Sequence, residues 1–279
     1  MIANVNTAVP IEHEYSKVIQ FSIVGKDKEV KYNKDGSVRK TKCNKIAGKD
    51  SEVYAFRTKE EITAIMNVLD KHIEEAPDEN KKWVAHRNKL LFLVGMNIGI
   101  RASDLRELRY SFFYDKKEDG TLEFKELYVL QPKKQRKQKK FVKLFFNQTV
   151  KTAINNYISE YPIEDLNNYL FSSRKGDEPI TVQSLWRIVK DTAYEAGIKQ
   201  NIGSHSLRKT FGYWAWREAE DKNKALITLQ QIFKHSDSLT TMKYIGLLDD
   251  EISDMYNSIE LGLEYVSYGN NDYDDDDME

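Results

Sequence analysis

Apolar side chains recur at intervals of three and four residues through the middle of the chain, the spacing that places them on one face of a helix. The first such run comprises Ile62, Ile65, Met66 and Leu69. Thr58 and Glu61 precede this run three residues apart, which is the pattern of a capping box at a helix start. The same periodicity predicts further helices over residues 82–97, from about 103, and over 148–161, 182–196, 206–218, 225–233 and 250–261.

Two segments rich in β-forming residues, 126–130 and 141–146, flank a run of lysine, arginine and glutamine. This order predicts a β-hairpin with a basic tip. Near the N-terminus, short alternating segments at 17–24 and 29–40, the second interrupted by Asp35-Gly36, predict a small β unit or a mobile arm. Together these patterns predict a mainly α fold with a small antiparallel β-sheet, the α+β class.

The patterns divide the chain into a strand-like arm or small β unit at 1–56, a helical domain at 57–262 and an acidic tail at 263–279. Low complexity and high charge predict that the tail is disordered. The last predicted helix carries apolar residues at helical spacing, namely Ile252, Met255, Tyr256, Ile259 and Leu263. This apolar stripe is expected to cover an apolar surface, either on its own domain or on another subunit.

The composition is that of a globular chain, with 279 residues, 40% hydrophobic and 31% charged. The longest apolar run, residues 90–96, is far shorter than the roughly 20 residues of a membrane-spanning helix, so no membrane partner is expected. Cys43 is the single cysteine, which excludes an internal disulfide and a multi-cysteine metal site. With no secretory signal at the N-terminus, a reducing cytoplasm is the expected location.

Charge is distributed unevenly along the chain. From Tyr244 onward there are twelve acidic residues and no lysine or arginine, so the 43 basic residues face 32 acidic ones before that point, a net charge of about +11. A basic body favours a polyanionic partner such as nucleic acid, although dispersed lysines also serve simply as a solvated surface.

Several common chemistries lack their sequence marks. The chain has no Gly-x-x-x-x-Gly-Lys-Ser/Thr loop, no Gly-x-Gly-x-x-Gly, no His-Glu-x-x-His and no Gly-x-Ser-x-Gly. ATP, dinucleotide and zinc sites are therefore not indicated, and we expect no cofactor and no metal.

Histidine, arginine and tyrosine cluster instead in the C-terminal half. His205 and Arg208 are three residues apart at the start of a predicted helix, where both can face an anion near free backbone N–H groups. His235 precedes Tyr244 by nine residues across a predicted helix boundary, and Arg101 lies just before another predicted helix. A guanidinium stays charged and can donate two parallel hydrogen bonds to a phosphate.

Order, residue type and spacing together make the sequence similar to the tyrosine recombinase, or phage integrase, family. The resemblance covers roughly residues 56–261 and rests on Gly99-Ile-Arg101-Ala-Ser-Asp-Leu105, His205-x-x-Arg208, and His235 followed at the ninth position by Tyr244. It implies that residues 57–262 form a tyrosine recombinase-like catalytic domain, mostly helical with a small antiparallel sheet.

Three features depart from the family pattern. Lys234 occupies the position before the second histidine where the family usually has glycine, and Asp104 occupies one where glutamate is commoner. The family usually has a helical domain ahead of the catalytic one, and residues 1–56 are too short and too strand-like for it. The chain is then a minimal recombinase, a shortened one, or one with an atypical arm.

The resemblance implies that Tyr244 attacks a DNA phosphodiester. A tyrosine has an ordinary pKa near 10, so its hydroxyl needs a neighbouring base at neutral pH, and His205 suits that role. Arg101 and Arg208 would hold the negative charge that gathers on the phosphate oxygens, and His235 would add a hydrogen bond to the same group.

The departing 5′-oxygen needs a proton, and the basic hairpin falls where the family carries its catalytic lysine. We select Lys134 for this role, with Lys133 and Lys137 as rivals because hairpin length varies. The hairpin residues expected to contact DNA phosphates are Lys133, Arg136, Lys137, Lys139 and Lys140.

These expectations describe a site-specific DNA recombinase or integrase that forms a 3′-phosphotyrosyl intermediate and serves a phage or mobile element. Its partner would be a double-stranded DNA attachment or recombination site, which the protein would bind as a homo-tetramer. The resemblance also implies that the C-terminal helix can be exchanged between subunits, which would cover its apolar stripe. The alternatives are a type IB-like topoisomerase and a DNA-binding regulator that keeps the fold without cleaving.

Overall fold

The computed structural model describes residues 52–132, 141–174, 176–259 and 261. The chain divides into two units, Met1–Asp50 and Ser51–Glu279, and all described residues belong to the second. The predicted N-terminal β segments, the basic hairpin tip and the acidic tail therefore lie outside the described residues.

Helices make up most of the described part of the chain, which confirms the predicted fold class. They are α1 (Lys59–Glu74), α2 (Glu79–Ile98), α3 (Ala102–Leu105), α4 (Gln148–Glu160), α5 (Val182–Glu195), α6 (Ser206–Arg217), α7 (Lys222–Phe233), α8 (Ser238–Ile245) and α9 (Leu247–Asn257). None of these helices is long and apolar enough to cross a membrane.

Side-chain caps fix several helix starts. The predicted capping box is present at α1, where Thr58 Oγ1 accepts from the Glu61 backbone N–H and the Glu61 carboxylate accepts from the Thr58 N–H, both at 3.1 Å. Helices α2 and α7 begin three residues before their predicted starts, because Asp78 and Asp221 cap the first turns that the apolar periodicity leaves out.

Short antiparallel strand pairs complete the described fold. The strands are β1 (Tyr114–Lys116), β2 (Leu122–Phe124), β3 (Leu127–Leu130), β4 (Val142–Phe145), β5 (Ser172–Ser173) and β6 (Gly176–Pro179), and they pair as β1–β2, β3–β4 and β5–β6. Leu127 faces Phe145 and Leu130 faces Val142, so the predicted hairpin strands are present and run toward the basic tip.

Two groups of buried apolar side chains form the interior, and α6 contributes to both. The larger group includes the fully buried Phe56, Phe92 and Phe113, together with Leu207 of α6. The smaller one centres on Phe233 and includes residues of α7, α8 and α9. Phe211 of α6 packs against this second group. Because α6 lies between the two groups, side chains at its first turn are positioned by both.

An extended segment ahead of α1, residues 52–57, lies along α6, and we call it the strap. The Phe56 N–H donates to Thr210 Oγ1 and the Phe56 carbonyl accepts from Trp214 Nε1, each at 2.8 Å. The Tyr54 N–H donates to the Asn201 carbonyl, also at 2.8 Å. The strap is thus attached to α6 and to the loop before it through its backbone.

The described residues of the apolar stripe predicted for the last helix are exposed on their own domain, and Leu263 of that stripe lies outside the described residues. Helix α9 begins at Leu247, which is buried, but Ile252, Met255 and Tyr256 are 47%, 69% and 75% exposed. The expectation that this stripe covers an apolar surface is therefore not met among the described residues of one chain.

Helix α7 ends in a left-handed residue that is not glycine. Lys234 has φ +57° and ψ +44°, and its backbone N–H donates to the Gln230 carbonyl. It is the one non-glycine residue with positive φ in the described part of the chain. A side chain disfavours this conformation, which explains why the family usually has glycine at the position.

We expect Lys234→Gly to increase the free energy of unfolding by about 0.5–1 kcal/mol, because glycine adopts the left-handed conformation without steric cost. Urea denaturation measures the change. As a control, Lys190→Gly in the interior of α5 makes the same chemical change at a helical position and should decrease the free energy by about 0.5–1 kcal/mol. A loss of stability in the Lys234 variant would contradict the prediction.

Candidate active site

The structure brings five predicted residues together at the first turn of α6 and the ends of its neighbours. His205 and Arg208 lie on that first turn, Tyr244 lies on α8, and Arg101 lies at the start of α3. His235 follows the end of α7. Three of these positions border helix ends, where unpaired backbone groups and helix dipoles provide polarity.

Arg208 holds a positive charge almost entirely away from solvent, with 5% of the residue exposed. Its Nη1 donates to the Gly99 carbonyl at 2.6 Å and its Nη2 to the Phe233 carbonyl at 3.2 Å. These acceptors belong to the C-terminal ends of α2 and α7, the negative ends of the helix dipoles. Burial lowers the pKa of Arg208 to about 10, so the guanidinium remains charged at neutral pH.

Gly99 is required for this arrangement. It ends α2 in the left-handed conformation, with φ +66°, and a Cβ there would lie 2.2 Å from Phe211 Cδ1. Glycine therefore allows α2 to turn while its carbonyl stays against Arg208.

Arg101 joins Arg208 at the same backbone acceptor. Its Nη2 lies 3.5 Å from the Phe233 carbonyl, the outer limit of a hydrogen bond, and its side chain is half-buried. Two guanidinium groups from distant parts of the sequence thus converge on the last carbonyl of α7. Such a pair can bind an oxyanion through the N–H groups that the carbonyls do not use.

Tyr244 lies beside this pair of arginines. Its hydroxyl is 3.3 Å from His205 Nδ1, and its ring contacts the rings of Phe233 and His235 edge-on at centroid distances of 5.4 and 5.1 Å. Burial raises the pKa of the Tyr244 phenol, and the charges of Arg208 and Arg101 act in the opposite direction. At neutral pH the phenol is therefore protonated, and His205 is the adjacent group that can accept its proton.

His235 is a neutral hydrogen-bonding group in this setting. Its Nδ1 lies 3.1 Å from Thr241 Oγ1. Burial lowers the pKa of His235, and the positive charges of Arg208 and Arg101 lower it further.

Sequence reasoning missed two charged residues next to the phenol. Lys209 is 95% buried, its Nζ donates to Glu52 Oε1 of the strap at 2.6 Å, and it lies 5.3 Å from the centroid of the Tyr244 ring. The carboxylate of Glu52 also acts to raise the pKa of Tyr244. In the sequence, Lys209 could be recognised only from its place on the buried face of the predicted helix at 206–218. Nothing in the residues around Glu52 indicates that it lies near the phenol.

The hairpin strands reach the arginines, whereas the hairpin tip is not described. A cavity of about 260 Å³ is lined by Arg101 and Arg208 together with Leu130, Pro132 and Val142 at the base of the hairpin. Six predicted residues of the tip lie outside the described residues: Lys133, Lys134, Arg136, Lys137, Lys139 and Lys140. A larger cavity of about 660 Å³ is bounded by α1, α2 and α4 and includes none of the five predicted residues.

Within the described ranges, no three histidine, cysteine, aspartate or glutamate side chains come together as a metal site would require.

We expect the His235 imidazole to titrate below its ordinary pKa of 6.5, measured by NMR of its ring protons. Arg101→Gln should move the midpoint upward, because it removes a like charge. In the parent chain the pKa of His235 is lower in the folded state than in the unfolded state, so the unfolded chain binds this proton more readily. The stability that His235 contributes is therefore present above pH 6.5 and is lost as pH falls through its lowered folded pKa. A midpoint at or above 6.5 would contradict the assignment of its surroundings.

Comparisons with known proteins show the family to which the chain belongs. The family model for the phage integrase family matches residues 56–251. The probable integrase/recombinase YoeC of Bacillus subtilis (strain 168) is 30% identical over 179 residues, which make up 63% of this chain and 88% of YoeC. Tyrosine recombinase XerD of Staphylococcus haemolyticus (strain JCSC1435) is 31% identical over 106 residues, 38% of this chain and 34% of XerD.

Solved structures share the fold. The XerA recombinase superposes on 78% of this chain with a TM-score of 0.52 and 20% identity, and the match covers 66% of the XerA chain. The XerH site-specific recombinase, in a post-cleavage complex with palindromic difH substrate, superposes on 81% of this chain with a TM-score of 0.51 and 18% identity. This second match covers 59% of the XerH chain, so the chain spans less than two thirds of either solved relative.

Proposed function

The chain belongs to the phage integrase family, and we propose that it cleaves and rejoins DNA strands at specific sites through a 3′-phosphotyrosyl intermediate. Membership of this family makes it a tyrosine-type recombinase. The observation that carries the proposed mechanism is the 3.3 Å contact between the Tyr244 hydroxyl and His205 Nδ1, beside the buried guanidinium of Arg208.

The scissile phosphate would lie between the two guanidinium groups. Arg208 and Arg101 both donate to the Phe233 carbonyl, which fixes the two guanidinium groups beside each other and leaves further N–H groups to bind an oxyanion. Preorganised charge of this kind stabilises the negative charge that develops on the non-bridging oxygens and does not have to reorganise during the reaction. Neutral His235 would donate a further hydrogen bond to the same phosphate.

Cleavage would begin when the Tyr244 oxygen attacks phosphorus and its proton passes to His205. A new phosphorus–oxygen bond forms to the tyrosine, and the bond to the 5′-oxygen of the next nucleotide breaks. That 5′-oxygen takes a proton from a lysine of the hairpin tip, for which Lys134 remains our selection and Lys133 and Lys137 the rivals. The strands that lead to this tip flank the arginines, which supports a donor from the hairpin.

Resealing reverses the same steps. A 5′-hydroxyl attacks the phosphotyrosyl phosphorus, the tyrosine leaves, and no ATP is consumed because the covalent link retains the bond energy. A hydroxyl from another duplex gives recombination, and the original one restores the strand.

Double-stranded DNA is the proposed partner. The net charge of about +11 before Tyr244 and the basic hairpin run suit a polyphosphate backbone, and affinity should fall steeply with salt. The solved XerH relative was captured on its difH substrate. We place the enzyme in the cytoplasm, in the service of a phage or mobile element, with the site on the helical domain at 57–262 and DNA contacts from Lys133, Arg136, Lys137, Lys139 and Lys140.

Assembly into a homo-tetramer on DNA would use the exposed stripe of α9. Met255 and Tyr256 project from a helix whose first residue, Leu247, is buried in the same chain. Apolar side chains of this size gain free energy when a second subunit covers them. Exchange of this helix between neighbouring subunits would bury the stripe against the next subunit.

We expect Tyr244→Phe to bind a recombination site normally and to form no covalent adduct on a nicked suicide substrate, because the attacking oxygen is absent. Denaturing gel electrophoresis of labelled DNA measures the adduct. Tyr161→Phe is the matched control, since it removes a hydroxyl from a tyrosine that packs on Tyr157 and His86. An adduct that persists in the Tyr244 variant would refute the nucleophile assignment.

We expect the double variant Met255→Ser with Tyr256→Ser to reduce tetramer formation on DNA while a single subunit still binds, because both side chains are exposed in the isolated chain. Analytical ultracentrifugation of the DNA complex measures the assembly. Asp254→Ser, on the same exposed helix, is the control. An unchanged distribution of complexes would reject a role of this stripe in assembly.

A further inference from the structure

Arg57, the last residue of the strap, holds the turn that follows Tyr244. Its Nη1 donates to both carboxylate oxygens of Asp250, at 2.8 and 2.9 Å, and its Nη2 donates to the Gly246 carbonyl at 2.7 Å. Gly246 separates α8 from α9 and is two residues beyond Tyr244. One guanidinium therefore connects to both helices that meet at this turn.

The turn is shaped to receive this guanidinium. Gly246 has φ +80°, and a Cβ at that position would lie 2.2 Å from Arg57 Nη2. A residue with a side chain would thus be disfavoured twice, by its backbone conformation and by collision with Arg57. The close approach is what allows the Gly246 carbonyl to be used as an acceptor.

Arg57 is itself held in place by its surroundings. Its guanidinium lies 5.4 Å from the ring centroid of Tyr54 and 5.2 Å from that of Tyr213 on α6. Its backbone N–H donates to the Glu61 carboxylate at 2.7 Å, and its carbonyl accepts from Arg217 Nη1 of α6 at 2.8 Å. The position of Arg57 is therefore tied to α1 and to the helix that carries His205 and Arg208.

We propose that Arg57 is a positioning residue that fixes the turn between α8 and α9. It thereby holds the Tyr244 hydroxyl at attacking distance from the phosphate that would bind between Arg101 and Arg208. The inference rests on the proposed function, since it assigns Arg57 a part in the tyrosine's reaction. Arg57 does not touch the reacting atoms. It connects α8, which carries Tyr244, to α6, which carries His205 and Arg208.

Lysine cannot replace Arg57 fully. The guanidinium donates to Asp250 with one nitrogen and to Gly246 with the other, whereas an ammonium is a single point of charge on a flexible stem. A lysine keeps the positive charge but loses the two nitrogens held at a fixed separation, each of which serves its own acceptor. Partial rescue by lysine is therefore a signature of positioning rather than of charge alone.

The experiment is a single-turnover cleavage assay on a nicked suicide substrate at saturating DNA, with DNA affinity measured separately. Arg57→Ala should lower the cleavage rate constant about 10- to 100-fold, the cost of displacing a reacting group by about 1 Å. DNA affinity should change by less than about 3-fold, because Arg101 and Arg208, which would bind the phosphate, are unchanged. Arg57→Lys should give an intermediate rate constant.

Two further variants separate positioning from folding. Asp250→Asn is a surface change that weakens the same contact and should lower the rate constant in the same direction. Arg187→Ala removes an exposed guanidinium on α5, outside both the strap and the turn, and it should cleave like the parent chain. Hydrogen exchange of amides 241–250 supplies a readout independent of cleavage, with faster exchange expected in Arg57→Ala.

The outcomes distinguish the two proposals. If the parent chain forms the adduct and Arg57→Ala cleaves equally fast, the positioning role is overturned while the proposed function stands. If the parent chain forms no adduct, the proposed function fails, and unchanged exchange at 241–250 in Arg57→Ala would show that Arg57 does not hold the turn either. A loss of DNA affinity equal to the loss of rate would assign Arg57 to DNA binding and overturn the inference.

Discussion

The positive charge of Arg208 inside the protein is the constraint around which the site is built. A buried guanidinium without acceptors would be strongly destabilising, and here the carbonyls of Gly99 and Phe233 accept its hydrogen bonds. Both carbonyls are available because α2 and α7 end at those points, in left-handed turns at Gly99 and Lys234. The strained backbone of Lys234 is thus the cost of ending α7 where its last carbonyl can serve two arginines. Tyr244 and His205 are arranged around this fixed charge, the first on α8 and the second on the same turn of α6.

Local signals in the sequence predict a large part of this structure. The capping box at Thr58 and the two hairpin strands are confirmed, because each depends on residues a few positions apart. The fold class is confirmed for the same reason, since apolar periodicity reports which face of each helix is buried. The clustering of Arg101 with Arg208 and Tyr244 could not follow from periodicity, and it was predicted only because the spacing of the motifs resembles a known family.

What the sequence could not predict are contacts between residues far apart without a motif. Lys209 and Glu52 pair across 157 positions, and Arg57 and Asp250 across 193. Charged residues of this kind look like solvated surface until the fold places them together. The exposure of Met255 was equally invisible, because an amphipathic pattern states that a helix has an apolar face and does not state which molecule covers it. The predicted arm at 1–56 includes residues 52–56 of the strap, because the first apolar-periodic helix begins after them, whereas their hydrogen bonds go to α6.

Helix α6 belongs to both apolar groups of the interior, and this has a consequence for when the enzyme can act. If α7, α8 and α9 came away from α6, Arg208 would lose the Phe233 carbonyl, and the tyrosine and the second histidine would depart with those helices. Leaving a buried guanidinium short of an acceptor penalises such an opened state by about 1–3 kcal/mol, which favours keeping the two apolar groups together. An opened chain of this kind therefore has the tyrosine apart from the two guanidinium groups, and the five residues come together only when α6 is packed against both apolar groups.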